Sequence, residues 1–466
     1  MFNTIINALF SLQLETIILF ILILSAVAHM LSSRRKPRSM IAWILVIFLL
    51  PYVGIPLYII FSGRKIEKFV LQKGMLSLKK NDKLPKYSTL VSDFLYSLGI
   101  PAITTSNSVE ICKDGVGAYH VLIKHLNNAK KSIYISTYIF GDDCVTKDII
   151  DILSEKATQG VEVKLLVDAL GSMKLEWYSD LLIPLINAGG ECQFFNSFKR
   201  HPIDFKINLR NHRKMIIIDN NTVMSGGMNI AKEYLSPKDH ALLWKDLSFV
   251  LYGEAIRYYL EIFSFDWYYT THNHLNTNIN VLQKNIKNKS LVQVVPSGPD
   301  VKSDALYEAL MYGFFLAQKK ICIVTPYFAP DQTMMDALIV AKHRGVDITI
   351  IVPDMSDHKI LDIARNGFLR QLQDEGIRVF LYKNRMLHAK LIIVDESFAV
   401  MGSCNFDERS FFYNYESVSF FYSQEDIDVL KKWMQELLVV SREGLHKGNR
   451  VRILFENIFK MLSPAL

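Results

Sequence analysis

Two stretches near the N-terminus are apolar throughout, with no polar face. Residues 12–31 (LQLETIILFILILSAVAHML) carry only Glu15 and His29 as ionisable groups, and residues 40–61 (MIAWILVIFLLPYVGIPLYIIF) carry none. Each is about the ~20 residues that a helix needs to cross a hydrocarbon core. Together they predict a two-helix transmembrane hairpin over residues 1–63, its second span kinked by Pro51, Gly54 and Pro56, a disruption that membrane helices tolerate better than soluble ones. A signal peptide is the rival for the first stretch. Met1–Ser11 lacks a positive charge, no small-x-small cleavage site follows, and a second apolar stretch comes directly after. A hairpin puts the N-terminus and the large C-terminal part on one side of the membrane.

Beyond residue 63 the pattern changes to short apolar strands alternating with helix-like segments, and it occurs twice. KSIYISTYIFGDD (131–143) matches KKICIVTPYFAPD (319–331), QGVEVKLLVD (159–168) matches RGVDITIIVPD (344–354), and AGGECQFF (188–195) matches DEGIRVFLY (374–382). The order strand, helix, strand, helix, strand in each copy predicts a mixed α/β unit, a sheet covered by helices. Two fused copies predict a pseudo-twofold pair. The expected organisation is a connector over 64–108, a first half over 109–270, an Asn- and Lys-rich linker over 271–290, and a second half over 291–466 ending in an amphipathic segment.

Composition and charge narrow this only a little. Half of the 466 residues are hydrophobic and the formal net charge is +7, which weakly favours an anionic partner. Arg34, Arg35, Lys36 and Arg38 lie before the second apolar stretch, and Arg64, Lys65, Lys68 and Lys73 after it. Charge at both ends gives no clean orientation, but the second cluster is expected to hold the C-terminal domain against anionic headgroups. The five cysteines are scattered with no Cys-x-x-Cys pair, so neither a zinc ribbon nor a disulfide framework is indicated.

Each half ends in a motif that carries chemistry. NHRKMIIIDNNTVMSGGMN holds His212, Lys214, Asp219 and Asn229; LHAKLIIVDESFAVMGSCN holds His388, Lys390, Asp395, Ser403 and Asn405, with the same spacing from histidine to asparagine. Histidine and lysine two apart on a strand share a face, and Gly-x-x-Asn returns the chain to the same pocket. Pseudo-symmetry then supplies two histidines, two lysines and two asparagines to one site. That set suits a phosphodiester. Lysines, asparagines and Ser403 stabilise the non-bridging oxygens, one histidine attacks phosphorus, and the other handles the protons of the leaving and incoming oxygens. Asp219 and Asp395 belong to the motif but are expected to bond within the turn or between halves. Asp246 in WKDLSFV and Glu416 in NYESVSF are candidates to orient the histidines through the other ring nitrogen. A lysine between would-be ligands and an aspartate seven residues from the histidine disfavour a metal site.

These motifs resemble those of the phospholipase D superfamily and, within it, the two-span bacterial cardiolipin synthases. The hairpin RRKPRSMIAW to LPYVGIPLYIIFSGR, GGMNIAKEYL, VQVVPSGPD, TPYFAPDQ, RSFFYNYE and the closing LSPAL also resemble that family, over almost the whole chain. Gly227 departs where many members have serine, as does Lys245 where arginine is usual. The resemblance implies two phospholipase D-like α/β sandwich halves sharing one active site. It implies that two phosphatidylglycerol molecules become cardiolipin and glycerol with no nucleotide or other cofactor and no nucleic acid, in a multi-pass protein of the cell membrane. It further implies His212 as nucleophile and His388 as acid and base. A phospholipase D-type hydrolase or nuclease, and a non-catalytic scaffold binding anionic lipid, are the rivals; oligomeric state is not legible.

Overall fold

The computed structural model describes residues 2–32, 37–61, 73–79, 87–200, 208–275 and 289–462. Of the basic cluster, Arg34, Arg35, Lys36, Arg64, Lys65 and Lys68 lie outside these residues, as do 276–288 of the expected linker.

Helix α1 (Phe2–Ser32) is followed by α2 (Pro37–Leu49) and α3 (Pro51–Phe61). Among the described residues one helix is long and apolar enough to cross a membrane, the Gln13–Ser32 part of α1. The second expected span is divided at Leu50, where Pro51 has no N–H to give. The i−4 pattern resumes on both sides, with Leu50 N–H on Val46 C=O at 2.9 Å and Gly54 N–H on Leu50 C=O at 2.6 Å. His29 Nδ1 lies 2.7 Å from the Tyr58 hydroxyl, and Trp43 meets the Tyr58 ring edge-on, so α1 packs beside this broken helix.

The first half contributes β1 (Thr104–Cys112), β2 (Ser132–Thr137), β3 (Glu162–Asp168), β4 (Glu191–Phe195), β5 (Met215–Ile218), β6 (Thr222–Gly226) and β7 (Ser248–Gly253). The second contributes β8 (Ser290–Ser297), β9 (Lys320–Val324), β10 (Phe328–Ala329), β11 (Asp347–Pro353), β12 (Arg378–Tyr382), β13 (Leu391–Val394), β14 (Phe398–Gly402), β15 (Phe406–Asp407), β16 (Glu416–Phe421) and β17 (Ser441–Glu443). The repeated strands take equivalent places. From the centre outward the first half runs β1-β7-β6-β5-β2-β3-β4 and the second runs β8-β16-β14-β13-β9-β11-β12-β17. The halves are not separate sheets: β1 pairs antiparallel with β8, making one 15-stranded sheet. The acids that close each repeated first strand are helix caps. Asp143 accepts from Val145 N and Thr146 N, and Asp331 from Met334 N, which satisfies amides left open at a helix start.

Two features of the segment before the first half were not expected. β1 already begins at Thr104. Helix Leu90–Ser97 buries Val91 and Leu95 in one cluster with Leu306, Leu310 and Phe314 of the second half. The connector thus packs on the half that lies furthest from it in sequence. The terminal helix Arg450–Leu462 packs on helix Lys359–Asp374 through a buried Glu456, which pairs with Arg370 at 2.8 Å. Its other face leaves Val451, Leu454, Phe455, Ile458 and Met461 exposed.

Candidate active site

His212 and Lys214 lie just before β5, and His388 and Lys390 just before β13. They sit in extended segments entering the strands rather than inside them. Each segment is anchored by the opposite half. His212 N–H donates to Tyr415 C=O at 2.9 Å, and His388 N–H donates to Lys245 C=O at 2.8 Å. Tyr415 and Lys245 immediately precede Glu416 and Asp246. Those backbone bonds therefore set each histidine beside the other half's acid. His212 Nδ1 is 2.9 Å from Glu416 Oε1, and His388 Nδ1 is 2.7 Å from Asp246 Oδ2. The crossing makes the two halves one site.

Both histidines and both lysines are buried, and burial sets their ionisation. It lowers His212 to about 4, where Lys214 and Lys390 push the same way and Glu416 opposes. His388 also falls to about 4, through burial and then the Lys390 charge. Lys214 falls to about 7 and Lys390 to about 8, again mainly by desolvation. Burial alone would raise Glu416, but His212, Lys214 and a hydrogen bond from Ser403 outweigh it and hold it low. The resting state is thus an ionised Glu416 accepting Nδ1–H from a neutral His212. Lys390 Nζ lies within 2.9 Å of His388 Nδ1 and 3.1 Å of Nε2. Nδ1 cannot give its proton to Asp246 and also accept one, so Lys390 donates to Nε2. The described hydrogen bonds of His212 use Nδ1 and leave Nε2 open.

A cavity of about 520 Å³ holds His212, His388, Asn229 and Asn405 in its lining. Tyr138 meets His212 edge-on at 5.0 Å, and Tyr234 meets His388 edge-on at 4.9 Å. Asn229 Oδ1 accepts Ile139 N–H at 3.2 Å, whereas Asn405 Oδ1 is buried without a partner. Ser403, Asp219 and Asp395 are not among the residues that line the cavity. Ser403, expected at the phosphate, gives its hydroxyl to the Glu416 carboxylate and does not line the cavity. Asp219 and Asp395 lie past four-residue strands, about 13 Å on at ~3.3 Å per residue. Asp219 accepts from Lys130 N, Lys131 N and Ser132 N at 2.6–3.1 Å, and Asp395 from Gln318 N, Lys319 N and Lys320 N at 2.6–2.8 Å. Each closes the turn into its own half's β2 or β9. Gly227 also has a physical reason: a Cβ there would come within 2.5 Å of Asp246 Oδ1. The shorter acid and the glycine replace the Glu416–Ser403 pair of the other half.

The sequence missed a buried ionic cluster behind His212. Lys73 Nζ contacts Asp266 Oδ1 and Asp300 Oδ2, each at 2.7 Å, and Arg213 contacts the same two carboxylates at 2.8 and 3.0 Å; all four side chains are 0% exposed. Lys73 Nζ also lies 3.7 Å over the Tyr415 ring, and Arg213 Nε donates to Glu416 C=O at 3.1 Å. Lys73 was expected to face headgroups and instead is fully enclosed. A signal existed. The first motif has Asn211 and Arg213 where the second has Leu387 and Ala389, and alternation turns those positions away from the histidine face into the core. Among the described residues no group of three or more His, Cys, Asp or Glu side chains is arranged to hold a metal ion.

The family described as cardiolipin synthase, PLD-like domain, matches residues 122–267 and 315–438, and the phospholipase D-nuclease N-terminal family matches residues 17–63. The chain belongs to the cardiolipin synthase, phospholipase D-like family. A cardiolipin synthase of Clostridium perfringens is 32% identical over 93% of this chain and 95% of its own length. The major cardiolipin synthase of Bacillus subtilis is 32% identical over 95% and 97%. Among solved structures, phosphatidylserine synthase of Haemophilus influenzae covers 81% of this chain and 100% of its own, with a TM-score of 0.64 at 17% identity. That likeness concerns the fold alone.

Proposed function

We propose that the chain is a cardiolipin synthase that moves a phosphatidyl group between two phosphatidylglycerol molecules. The observation that carries this is the pair of buried histidines, each held by the other half's carboxylate in one cavity of a family member. His212 is the nucleophile, since its Nε2 is open while that of His388 is engaged by Lys390. The Nε2 lone pair forms a P–N bond as the P–O bond to the donor's glycerol breaks, and the proton that Lys390 donates to His388 Nε2 passes through that nitrogen to the leaving oxygen, leaving Lys390 neutral until the next step. The hydroxyl of a second phosphatidylglycerol then loses its proton through His388 Nε2 back to Lys390, forms a new P–O bond and releases His212. Lys214, Lys390, Asn229 and Asn405 stabilise the charge on the non-bridging oxygens. Glu416 and Asp246 fix the Nδ1–H tautomers.

The same reading makes residues 1–63 a hairpin, with 40–61 as a second, kinked span and the chain as multi-pass. The family match over 17–63 and the packing of α1 on Tyr58 support it. The exposed apolar face of the terminal helix suits a membrane surface. The test is purified full chain with phosphatidylglycerol in mixed micelles, without nucleotide or divalent ion. Cardiolipin and glycerol should appear in equal amounts, and phosphatidic acid as sole lipid product would make the protein a hydrolase. Quenching the wild type in detergent at mildly alkaline pH, where a P–N bond survives, should trap phosphatidyl on His212; an adduct on residue 388 would reverse the roles.

A further inference from the structure

The two halves are pseudo-symmetric, but the walls they give to the cavity are not. Beside its histidine and asparagine the first half lines it with Tyr138, Ile139 and Tyr234, whereas the second adds charged groups, Asp357, Lys359, Asp407 and Arg409, to Asn405 and Asn414. Counting from the motif asparagines, Arg409 stands where the first half has Glu233, and Glu233 does not line the cavity. Arg409 is half-buried and, among the described residues, makes no ion pair or side-chain hydrogen bond. Its charge is nonetheless felt at the nearby Asp407 carboxylate and at the Tyr138 hydroxyl, whose ring meets His212 edge-on. Two more groups on this wall lack partners. Asn405 Oδ1 and Asn414 Oδ1 are buried with nothing to accept from, although both residues are more than nine-tenths enclosed. The Asn414 amide is fixed in this sense because its Nδ2 faces the Glu416 carboxylate at 3.5 Å.

Unmade buried hydrogen bonds are costly, and their chemistry defines what completes them. Amide oxygens accept from hydroxyls and repel phosphate oxygens; a free guanidinium takes a phosphate. A glycerophosphate supplies both. Resting on the proposed transfer reaction, we infer that Arg409, with Asn414 and the Oδ1 of Asn405, whose Nδ2 serves the reacting phosphate, forms a second anion subsite that binds the headgroup glycerophosphate of the acceptor lipid. The donor brings one phosphate, which the two histidine–lysine pairs receive. The acceptor brings another that does not react, in the same cavity, where Asp357 and Asp407 already place carboxylates, so the second phosphate needs its own cation. Water has neither the phosphate nor the glycerol, so this subsite favours transfer over hydrolysis.

The test is a competition inside one reaction. Wild type and Arg409→Gln full-length protein receive phosphatidylglycerol plus ethanol, and the ratio of cardiolipin to phosphatidylethanol is measured. Both products arise from the same phosphatidyl-enzyme, so the ratio does not depend on how much protein is folded. The ratio should fall about 10- to 100-fold, the worth of one hydrogen-bonded charge, phosphatidic acid should rise, and Arg409→Lys should recover part of the loss. An unchanged ratio overturns the subsite, whether or not total turnover drops. A wild type that makes phosphatidylethanol but never cardiolipin instead overturns the proposed function.

Discussion

Replacing Lys73 by methionine separates two accounts of the connector. A surface lysine contacting headgroups contributes about 1 kcal/mol to membrane binding and nothing to folding. The enclosed Lys73 balances two carboxylates that share two cations, all of them removed from water. Methionine keeps most of the side-chain volume but leaves Asp266 and Asp300 facing Arg213 alone. Breaking a buried pair from one side costs about 3–5 kcal/mol. At about 2.1 cal/mol/K of unfolding entropy per residue, a domain of roughly 350 residues should lose about 4–7 °C in Tm. The assay is thermal unfolding of the detergent-solubilised full chain. A second variant, Lys73→Met with Asp300→Asn, restores neutrality and should recover at least half of the loss, as coupled neighbours do. A Lys73→Met protein that melts with wild type, or a double variant that is worse than the sum of the two single changes, would refute the buried-charge account.

Two further outcomes follow from the site. The free enzyme needs neutral histidines, available above about 4, and charged lysines, lost as pH rises through about 7 to 8; kcat/KM on a short-chain substrate should therefore be bell-shaped. Its alkaline limb should move up in Lys214→Arg, whose guanidinium stays charged, and a profile flat to high pH would contradict the lysine assignment. Asp219→Ala and Asp395→Ala should each cost about 1–3 kcal/mol of stability by stranding turn amides, measured by urea denaturation, while asparagine, which tolerates the left-handed backbone found at both sites (φ +52° and +51°), should recover part of it.

Much of this site was legible because the repeat does the work that a single motif cannot. Equal histidine-to-asparagine spacing in matched strand orders places both motifs at the same depth of two like sheets, and the cavity holds both histidines as that requires. The asparagines reach it as Gly-x-x-Asn suggests. The merging of the sheets was not legible, because β1 and β8 pair across the junction and no periodicity encodes a partner strand. Ser403 escapes sequence reasoning for a related reason. Spacing shows that a side chain is near the histidine face, but not that a carboxylate from the next strand will claim its hydroxyl first. Lys73 stands among basic residues in the sequence, and charge clusters are normally solvated. Only the polar Asn211 and Arg213 in the first motif hinted that buried acids, and hence a second cation, lay behind it.

The crossed pairing also explains why the chain has two complete halves rather than one strong site and one relic. Asp246 precedes His388 by 142 residues and Glu416 follows His212 by 204, so neither histidine is oriented by its own half. Separating the halves would strip both histidines of their carboxylates and of the backbone acceptors at Tyr415 and Lys245 together. The symmetry is then free to break only where pairing is not at stake. It does so at the wall, where Arg409 faces the cavity and Glu233 does not, and at Gly227 against Ser403. A transfer between two like lipids asks for that combination: a symmetric pair of histidines for a phosphate that is bonded and released in turn, and unequal walls so that only one of the two lipids is the acceptor.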